Sequence, residues 1–295
     1  MKFHMSILFL CFSICSFSQG RFDKVEIKIT EVKANLYMLE GAGGNIAILS
    51  GEDGNIMIDA QFAGLSQKII GAIRSFSDKP IKYLINTHYH GDHTGGNENI
   101  HEQGAVIIAH NNVFERLSKD QNISAFNKVV KAKPKTFWPD VTYEKGMNIK
   151  LNSQNIQLFH IDQAHTDGDS FVFFSDLNVL HMGDVFFNGR FPYIDLASGG
   201  SVNGYVEAVK SALMIVDEET IIIPGHGELG NRDDLKDYLW TIEEMISRVK
   251  SAVEEGKTYE DIQNMSLYDD FQSWGTGFIS GEKMVNTIWT DLNRE

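Results

Sequence analysis

The sequence predicts an α/β protein with four layers, in which two β-sheets pack against each other between outer helices. Short apolar segments separated by Gly, Asn and Asp fill residues 25–58, and a second series of such segments begins near residue 147. Each series is followed by segments whose apolar residues recur at helical spacing. Two successive rounds of strands and helices favour one αββα domain with the helices outside.

The first round contains an antiparallel meander. Residues 25–29 alternate between apolar and polar side chains, and Gly51–Gly54 is a turn. Leu65, Ile69 and Ile73 recur one helical turn apart and predict a helix over residues 64–76. The other elements predicted for this round are strands at 36–39, 46–49, 56–58, 81–85 and 106–109, a short helix after residue 87, a helix over about 111–130 and a surface loop at 131–139.

The second round repeats this order of strands and then helices. Apolar runs of strand length are followed by longer segments with a helical period. The predicted strands are 147–151, 155–161, 170–174, 178–182 and 220–223, and the predicted helices are 203–216, 233–254, 258–264 and 281–292.

Composition agrees with one folded domain. The chain has 295 residues, of which 42% are hydrophobic and 22% charged, so it is long enough to bury a sizeable core. These values exclude a disordered, collagen-like or disulfide-dense protein. Forty acidic and 26 basic residues give a net charge of −14. Such a surface repels phosphate backbones, so we expect no nucleic-acid partner.

Residues 1–18 have the pattern of a secretory signal peptide. A short polar start precedes the apolar run Ser6–Phe17, and serines occupy the −3 and −1 positions of a cut before Gln19. We therefore predict a mature domain at 19–295, exported to the periplasm or the extracellular space. The run is too short to span a membrane comfortably, and neither cysteine follows a small residue, so no stable membrane anchor is expected.

Both cysteines, Cys11 and Cys15, lie inside the predicted signal peptide. The mature chain would then contain none. This excludes a structural disulfide, a thiolate nucleophile and a thiolate metal ligand.

A histidine cluster follows the buried strand at 81–85. In the sequence His88-Tyr89-His90-Gly91-Asp92-His93, four potential metal ligands fall within six residues. His88 and His90 point the same way in an extended segment, and a turn through Gly91 can redirect the two ligands that follow. Two groups of ligands can then face each other, as a dinuclear metal site requires.

Three further candidate ligands stand where predicted strands meet loops. They are His165, Asp184 and His226. These imidazoles and carboxylates stand at the ends of separate strands, which is where the active sites of layered sheets are built. We interpret the other histidines of the mature chain as packed or surface residues: His101, His110, His160 and His181.

This ordered set resembles the metallo-β-lactamase-fold hydrolase superfamily over nearly the whole mature chain. The resemblance implies a four-layer αββα sandwich of that type with two zinc ions, although the same ligands accept iron or manganese. It implies that one metal is held by His88, His90 and His165. It implies that the second is held by Asp92, His93 and His226, with Asp184 bridging both. Asp59, at the end of a predicted strand, would orient the ligand loop without binding metal.

Two neighbouring divalent metals can share a water and lower its pKa towards neutrality. One of them can also polarise a substrate oxygen and stabilise the anion formed on attack. Asp92 is the candidate catalytic residue, because it can orient or deprotonate the nucleophile. The predicted chemistry is hydrolysis.

This sequence differs from particular branches of the superfamily, and these differences reduce the number of activities to be considered. Asp184 stands where the classical β-lactamases have a cysteine ligand, and a β-lactamase branch without that cysteine lacks a bridging Asp. Flavodiiron-type oxidoreductases have a carboxylate where His90 stands, and the nuclease members need basic or added domains. Glyoxalase II shares all seven ligands, but an exported location argues against glutathione thioesters. We expect an exported hydrolase of a small ester, lactone, amide (β-lactams included) or thioester.

The substrate pocket is predicted from residues near the ligands. Gly41–Asn45 is expected to form a mobile loop beside the metals. Aromatic residues that follow Asp184 are candidates for an apolar pocket, although core packing explains them equally: Phe186, Phe187, Phe191 and Tyr193. The sequence fixes neither the substrate nor the oligomeric state.

Two other functions stay open at this point. One is a mononuclear iron oxygenase of the persulfide dioxygenase type, which uses the counterparts of His88, His165 and Asp184. The other is a non-catalytic exported protein that binds metal.

Overall fold

A computed structural model describes residues 20–123 and 128–294 of the chain. The predicted signal peptide lies outside the described residues. The first sheet has seven strands, antiparallel over the first four and parallel thereafter. In spatial order they are β1 (Lys28–Lys33), β2 (Leu36–Glu40), β3 (Ile46–Leu49), β4 (Asn55–Ile58), β5 (Ile81–Ile85), β6 (Val106–His110) and β9 (Val141–Tyr143).

The second sheet has five strands and is antiparallel except for its last pair. They are β10 (Gly146–Leu151), β11 (Gln154–Ile161), β12 (Asp169–Phe174), β13 (Val179–His181) and β14 (Ile221–Ile223). A separate two-stranded ribbon contains β7 (Gln121–Ile123) and β8 (Lys128–Val130).

The α-helices connect and flank the sheets. They are α1 (Ser66–Arg74), α2 (Gly91–Thr94), α3 (Asn97–His101), α4 (Asn111–Ser118), α5 (Val202–Ile215), α6 (Arg232–Glu254), α7 (Tyr259–Gln263) and α8 (Gly281–Leu292). Within the described residues, no helix has the length and apolar character needed to cross a membrane.

Side-chain alternation along the strands creates three packed layers of apolar residues. In β3, Ala47 and Leu49 face the second sheet, whereas Ile46 and Ile48 face the helices outside. Val172 and Phe174 of β12 meet the first sheet in the same inter-sheet core. Outer cores lie beneath α1 and α3 on one side and beneath α5, α6 and α8 on the other. The predicted αββα sandwich is confirmed.

Two predicted elements differ from the structure near the start of the chain. The strand expected at 25–29 begins only at Lys28, because the ammonium of Lys68 binds the carbonyls of Phe22, Asp23 and Val25 and holds this segment as a loop. These carbonyls accept hydrogen bonds from a side chain of α1, whereas carbonyls in a strand accept them from the backbone of a neighbouring strand.

The helix expected over 111–130 ends at Ser118, and the ribbon of β7 and β8 follows. Asp120 fixes this ribbon, since its carboxylate accepts hydrogen bonds from the Ala132 backbone (2.9 Å) and from Lys131 (2.7 Å). The sequence between Val113 and Leu117 packs as a helix because these two residues lie buried against Tyr89 and Ala109.

The inter-sheet core predicts a large effect of truncation at Phe174. This side chain is fully buried, so Phe174→Ala should lower the free energy of unfolding by about 3–5 kcal/mol through lost contacts and a residual cavity. Met214→Ala, at a side chain that is 83% exposed on α5, should change it by less than about 0.5 kcal/mol. Urea unfolding followed by circular dichroism measures both. Equal effects of the two substitutions would contradict this description of the core.

Candidate metal centre

The candidate ligands lie where strands of both sheets end. Asp59 directly follows β4, the histidine cluster follows β5, and Asp184 and His226 follow the parallel pair β13 and β14. Since parallel strands end at a common edge of a sheet, side chains far apart in sequence meet there. The two sheets bring these edges together.

Asp59 ties β4 to the histidine loop. It is fully buried and has a positive φ of 62°, and its carboxylate accepts hydrogen bonds from the Thr87 backbone (2.8 Å) and hydroxyl (2.7 Å). Its Oδ2 also lies 2.7 Å from His93 Nδ1. Because a carboxylate only accepts, His93 donates from Nδ1 and directs Nε2 towards the other ligands. Asp59 therefore contacts both the start of the loop, at Thr87, and the ring of His93.

The first group of possible ligands contains His88, His90, His165 and Asp184. One ligand atom from each lies within 4.8 Å of the others. His90 Nδ1 and His165 Nε2 are 2.8 Å apart, and Asp184 Oδ2 is 3.5 Å from His165 Nε2 and 3.7 Å from His88 Nε2. Four donor atoms thus converge on one point.

The second group contains Asp92, His93 and His226, again with ligand atoms within 4.8 Å. Asp92 Oδ2 lies 3.4 Å from His226 Nε2 and 3.8 Å from His93 Nε2. The other oxygen of Asp184, Oδ1, faces this group at 3.0 Å from His93 Nε2 and 3.5 Å from His226 Nε2. Asp184 therefore stands between the two groups with one oxygen towards each.

Several of these buried atoms lack a hydrogen-bond partner within the described part of the chain. They are His88 Nε2, His93 Nε2 and Asp184 Oδ1. An unsatisfied buried polar atom costs about 1–3 kcal/mol, which a bound cation would remove. Neutral imidazoles and carboxylates are the donors that divalent metals such as zinc prefer. The residues present fit a site for divalent metal ions.

The histidine tautomers are fixed from behind. Thr87 Oγ1 donates to Asp59, so it accepts from His88 Nδ1 at 3.1 Å. The Tyr193 carbonyl accepts from His165 Nδ1 at 2.6 Å. Each arrangement leaves Nε2 of His88 and His165 unprotonated and directed into the cluster, where His165 Nε2 faces His90 Nδ1 at 2.8 Å. An unprotonated nitrogen is the form in which imidazole binds a metal.

The electrostatics of the cluster favour a cation. Burial lowers the pKa of His88 well below its ordinary value and that of His165 to about 4, so both imidazoles are neutral at pH 7. Burial also opposes charge on His226, but the neighbouring Asp184 outweighs it and raises the pKa of His226 to about 9. The carboxylates of Asp184 and Asp92 thus attract positive charge, and a divalent ion would displace the proton from His226.

Burial raises the pKa of Asp184, but the charges of His93 and His226 outweigh burial and hold it well below its ordinary value. The same balance applies to Asp92, whose pKa falls to about 2 because His93 and His226 outweigh the effect of burial. Both carboxylates are ionised at pH 7.

Asp195 is a functional candidate that the sequence analysis missed. It is buried, and its Oδ2 lies 3.1 Å from His90 Nε2 and accepts from the Tyr89 hydroxyl at 2.9 Å. The tyrosine hydroxyl in turn contacts Ser198 at 2.9 Å. This network directs Nδ1 of His90 to the ligand cluster. The only sequence signal is that Asp195 interrupts an otherwise mainly apolar segment at 191–196.

The loop Gly41–Asn45 lies beside the ligands and is anchored there. The Gly44 backbone N–H donates to the Asp92 carbonyl at 3.1 Å. The side-chain amide of Asn45 donates to the Pro224 and Gly227 carbonyls at 2.9 Å each. A Cβ at Gly44 would collide with the His93 ring, which explains a glycine at this position.

A cavity of about 470 Å³ opens beside the two ligand groups. Three of the predicted aromatic residues line it: Phe187, Phe191 and Tyr193. Phe186 does not line it, because the extended backbone there sends neighbouring side chains to opposite sides. Phe187 stacks on His226 with ring centres 5.1 Å apart, whereas Phe186 is fully buried against Tyr238.

The remaining histidines stand outside the two groups. The rings of His110 and His160 stack on each other at 3.6 Å, and His181 contacts the Asn45 carbonyl at 3.2 Å. His101 lies 3.5 Å from Asp140.

Comparisons with known proteins indicate the family to which this chain belongs. Residues 39–226 match the family model of the metallo-beta-lactamase superfamily. The chain is 22% identical to a metallo-beta-lactamase type 2 of Bacillus cereus over 65% of this chain and 70% of that protein. It is 26% identical to a hydroxyacylglutathione hydrolase of Haemophilus influenzae, over 56% of this chain and 76% of that one.

Solved structures share the fold. A metallo-beta-lactamase from Pontibacter korlensis superposes with a TM-score of 0.62 and 17% identity, over 74% of this chain and 99% of that one. A sec-alkylsulfatase from Pseudomonas sp. superposes with a TM-score of 0.67 and 15% identity, over 90% of this chain but only 50% of that protein.

The contact between Asp195 and His90 predicts a role in metal affinity. Asp195→Asn should raise the dissociation constant for zinc about 10- to 100-fold, because the ring of His90 loses the carboxylate that orients it. The exposed Asp78 supplies a matched control, Asp78→Asn, which should leave the affinity unchanged. Competition with a chromophoric chelator measures both constants. Wild-type affinity in Asp195→Asn would show that His90 needs no such support.

Proposed function

The chain belongs to the metallo-β-lactamase superfamily, and we propose that it is an exported hydrolase that uses two zinc ions. The observation that carries this proposal is the position of Asp184, whose two carboxylate oxygens face two separate groups of buried ligands. Export rests on the signal-peptide pattern of residues 1–18.

In this proposal the first zinc is held by His88, His90 and His165, the second by Asp92, His93 and His226, and Asp184 binds both. When bound, the two metals supply an activated water and polarise the substrate oxygen. The ligand atoms of each group are close enough for one ion, and the unpaired atoms His88 Nε2, His93 Nε2 and Asp184 Oδ1 acquire a partner.

The protein groups around the reacting atoms have separable tasks. Asp92 lines the cavity and has a pKa of about 2, so it accepts hydrogen bonds at pH 7 but is a poor proton acceptor. We therefore assign Asp92 the orientation of the nucleophile. Asp59 and Asp195 hold the rings of His93 and His90. Phe187 and Tyr193 line the same cavity and supply apolar surface to it.

We propose that the substrate is a small ester, lactone, amide or thioester and that the enzyme hydrolyses this group. Two of the similar proteins are a metallo-beta-lactamase and a hydroxyacylglutathione hydrolase. Their names support testing β-lactams and thioesters together with simple esters. The acidic surface supports a small-molecule substrate rather than nucleic acid.

Metal content is the first test of this proposal. The mature protein expressed without added metal should contain two zinc ions per chain by elemental mass spectrometry. One iron per chain, with oxygen uptake on a persulfide, would instead support the dioxygenase. Full metal loading without turnover across an ester, lactone, β-lactam and thioester panel would support a non-catalytic protein.

Substitution of the shared ligand tests the assignment of the site. Asp184→Ala should lower kcat/KM by at least about a hundredfold, because it removes a charge that positions both metals. His101→Ala, at a histidine outside both ligand groups, should retain activity and two metals. Full activity of Asp184→Ala would overturn the proposal, provided that circular dichroism shows a folded chain.

Metal removal should destabilise the protein, since it leaves the buried ligands without a partner. Free zinc at a hundredfold excess over its dissociation constant stabilises a site by about 2.7 kcal/mol, so chelation should lower Tm. Differential scanning calorimetry with and without chelator measures this change, and Asp184→Ala should respond less. An unchanged wild-type Tm after verified loss of metal would contradict it.

A further inference from the structure

The cavity beside the candidate metal centre combines aromatic walls with two cations. Its aromatic lining includes Phe62, Phe187, Phe191, Tyr193 and Phe278. Arg21 and Arg190 line the same cavity. Such a lining suits a ligand that is apolar over most of its surface and charged at one place.

These two arginines differ from most others in the chain. Arg116, Arg232, Arg248 and Arg294 each form an ion pair with an acidic side chain. Among the described residues, no carboxylate lies within ion-pair distance of Arg21 or Arg190, although the sequence holds 40 acidic residues. Two exposed arginines without a carboxylate partner among the described residues therefore line one cavity of an acidic protein.

Arg21 is held by aromatic rings rather than by a carboxylate. Its guanidinium carbon lies 5.1 Å from the centre of the Phe22 ring and 5.0 Å from that of Phe62. Cation–π contacts at this distance orient a guanidinium without neutralising its charge, so its N–H donors stay available.

Arg190 reaches the cavity from the second half of the chain. It follows Gly189, whose φ is 71°, and its side chain packs against Gly277, where an added Cβ would lie 3.1 Å from Arg190 Cδ. Close packing along the aliphatic stem holds the side chain, and no ion-pair partner of Arg190 lies within the described residues.

We propose that the cavity binds a substrate with an apolar body and one anionic group, which Arg21 and Arg190 recognise through charge-assisted hydrogen bonds. This inference rests on the proposed hydrolase function of the same site. The aromatic residues pack around the body of the substrate, and the bond to be cleaved lies towards Asp92 and His226. The net charge of −14 repels anions in general, so the two local cations provide selectivity as well as affinity.

A pair of esters tests the proposal. The 4-nitrophenyl half-ester of suberic acid and 4-nitrophenyl octanoate have acyl chains of equal length, and they differ in a terminal carboxylate against a methyl group. The wild type should have the lower KM for the anionic ester. Arg21→Gln and Arg190→Gln should each raise that KM about fivefold, as expected for a partly exposed ion pair, with kcat and the octanoate KM retained.

Arg74→Gln is the matched control for loss of one positive charge. Arg74 is exposed near the end of α1, has no ion pair within the described chain, and does not line the cavity. This variant should keep the wild-type KM for both esters. If all three variants behave alike, the preference comes from overall charge and the proposal is wrong.

Binding without turnover separates this proposal from the proposed function. Calorimetry of the metal-loaded protein with 1-hexanesulfonate should give binding that weakens about fivefold in Arg21→Gln and Arg190→Gln, and 1-hexanol should bind more weakly to the wild type. If no ester is hydrolysed but this dependence is present, the hydrolase assignment fails and anion recognition stands. If both esters are hydrolysed with the same KM and neither substitution changes the affinity for the sulfonate, anion recognition is overturned and the hydrolase assignment stands.

Discussion

The two oxygens of Asp184 organise the centre of this molecule. A carboxylate buried at the junction of two sheets loses its hydration, and that loss must be offset by positive charge close to both oxygens. Oδ2 faces His88 and His165, and Oδ1 faces His93 and His226. A single acidic side chain thereby couples imidazoles from three separate segments, and the proposed pair of divalent cations would satisfy all of them together.

The surrounding fold holds this carboxylate in place. The Tyr205 hydroxyl donates to the Asp184 carbonyl at 2.9 Å and lies 2.7 Å from the Tyr238 hydroxyl, so helices α5 and α6 fix the backbone from the outer layer. Gly225 passes so close that a Cβ there would collide with Asp184 Oδ1. Since Gly44 and Gly225 pack directly against His93 and Asp184, the geometry of the centre depends on the packing of both sheets.

The cavity adds a second electrostatic requirement beside the first. The candidate metal centre contains buried carboxylates, which repel an anionic substrate. The chain as a whole is also acidic. Arg21 and Arg190 lie on the cavity wall and offset this repulsion locally. Their positions come from residues 169 apart in the sequence, and neither belongs to a ligand motif. Recognition of substrate charge is thus separate from the residues that hold metal.

Local patterns in the sequence determined the elements and the ligand types. The apolar run at 81–85 and the alternation elsewhere follow from side chains that must face a core, and three histidines beside an Asp have few roles other than binding metal. Tertiary structure alone decided that Phe186 enters the core while Phe187 faces the cavity, that Lys68 delays β1, and that Asp195 supports His90. Each of these depends on contacts between distant segments. Spacing along the chain records which residues are neighbours in sequence, whereas burial and hydrogen bonding depend on which segments the two sheets bring together.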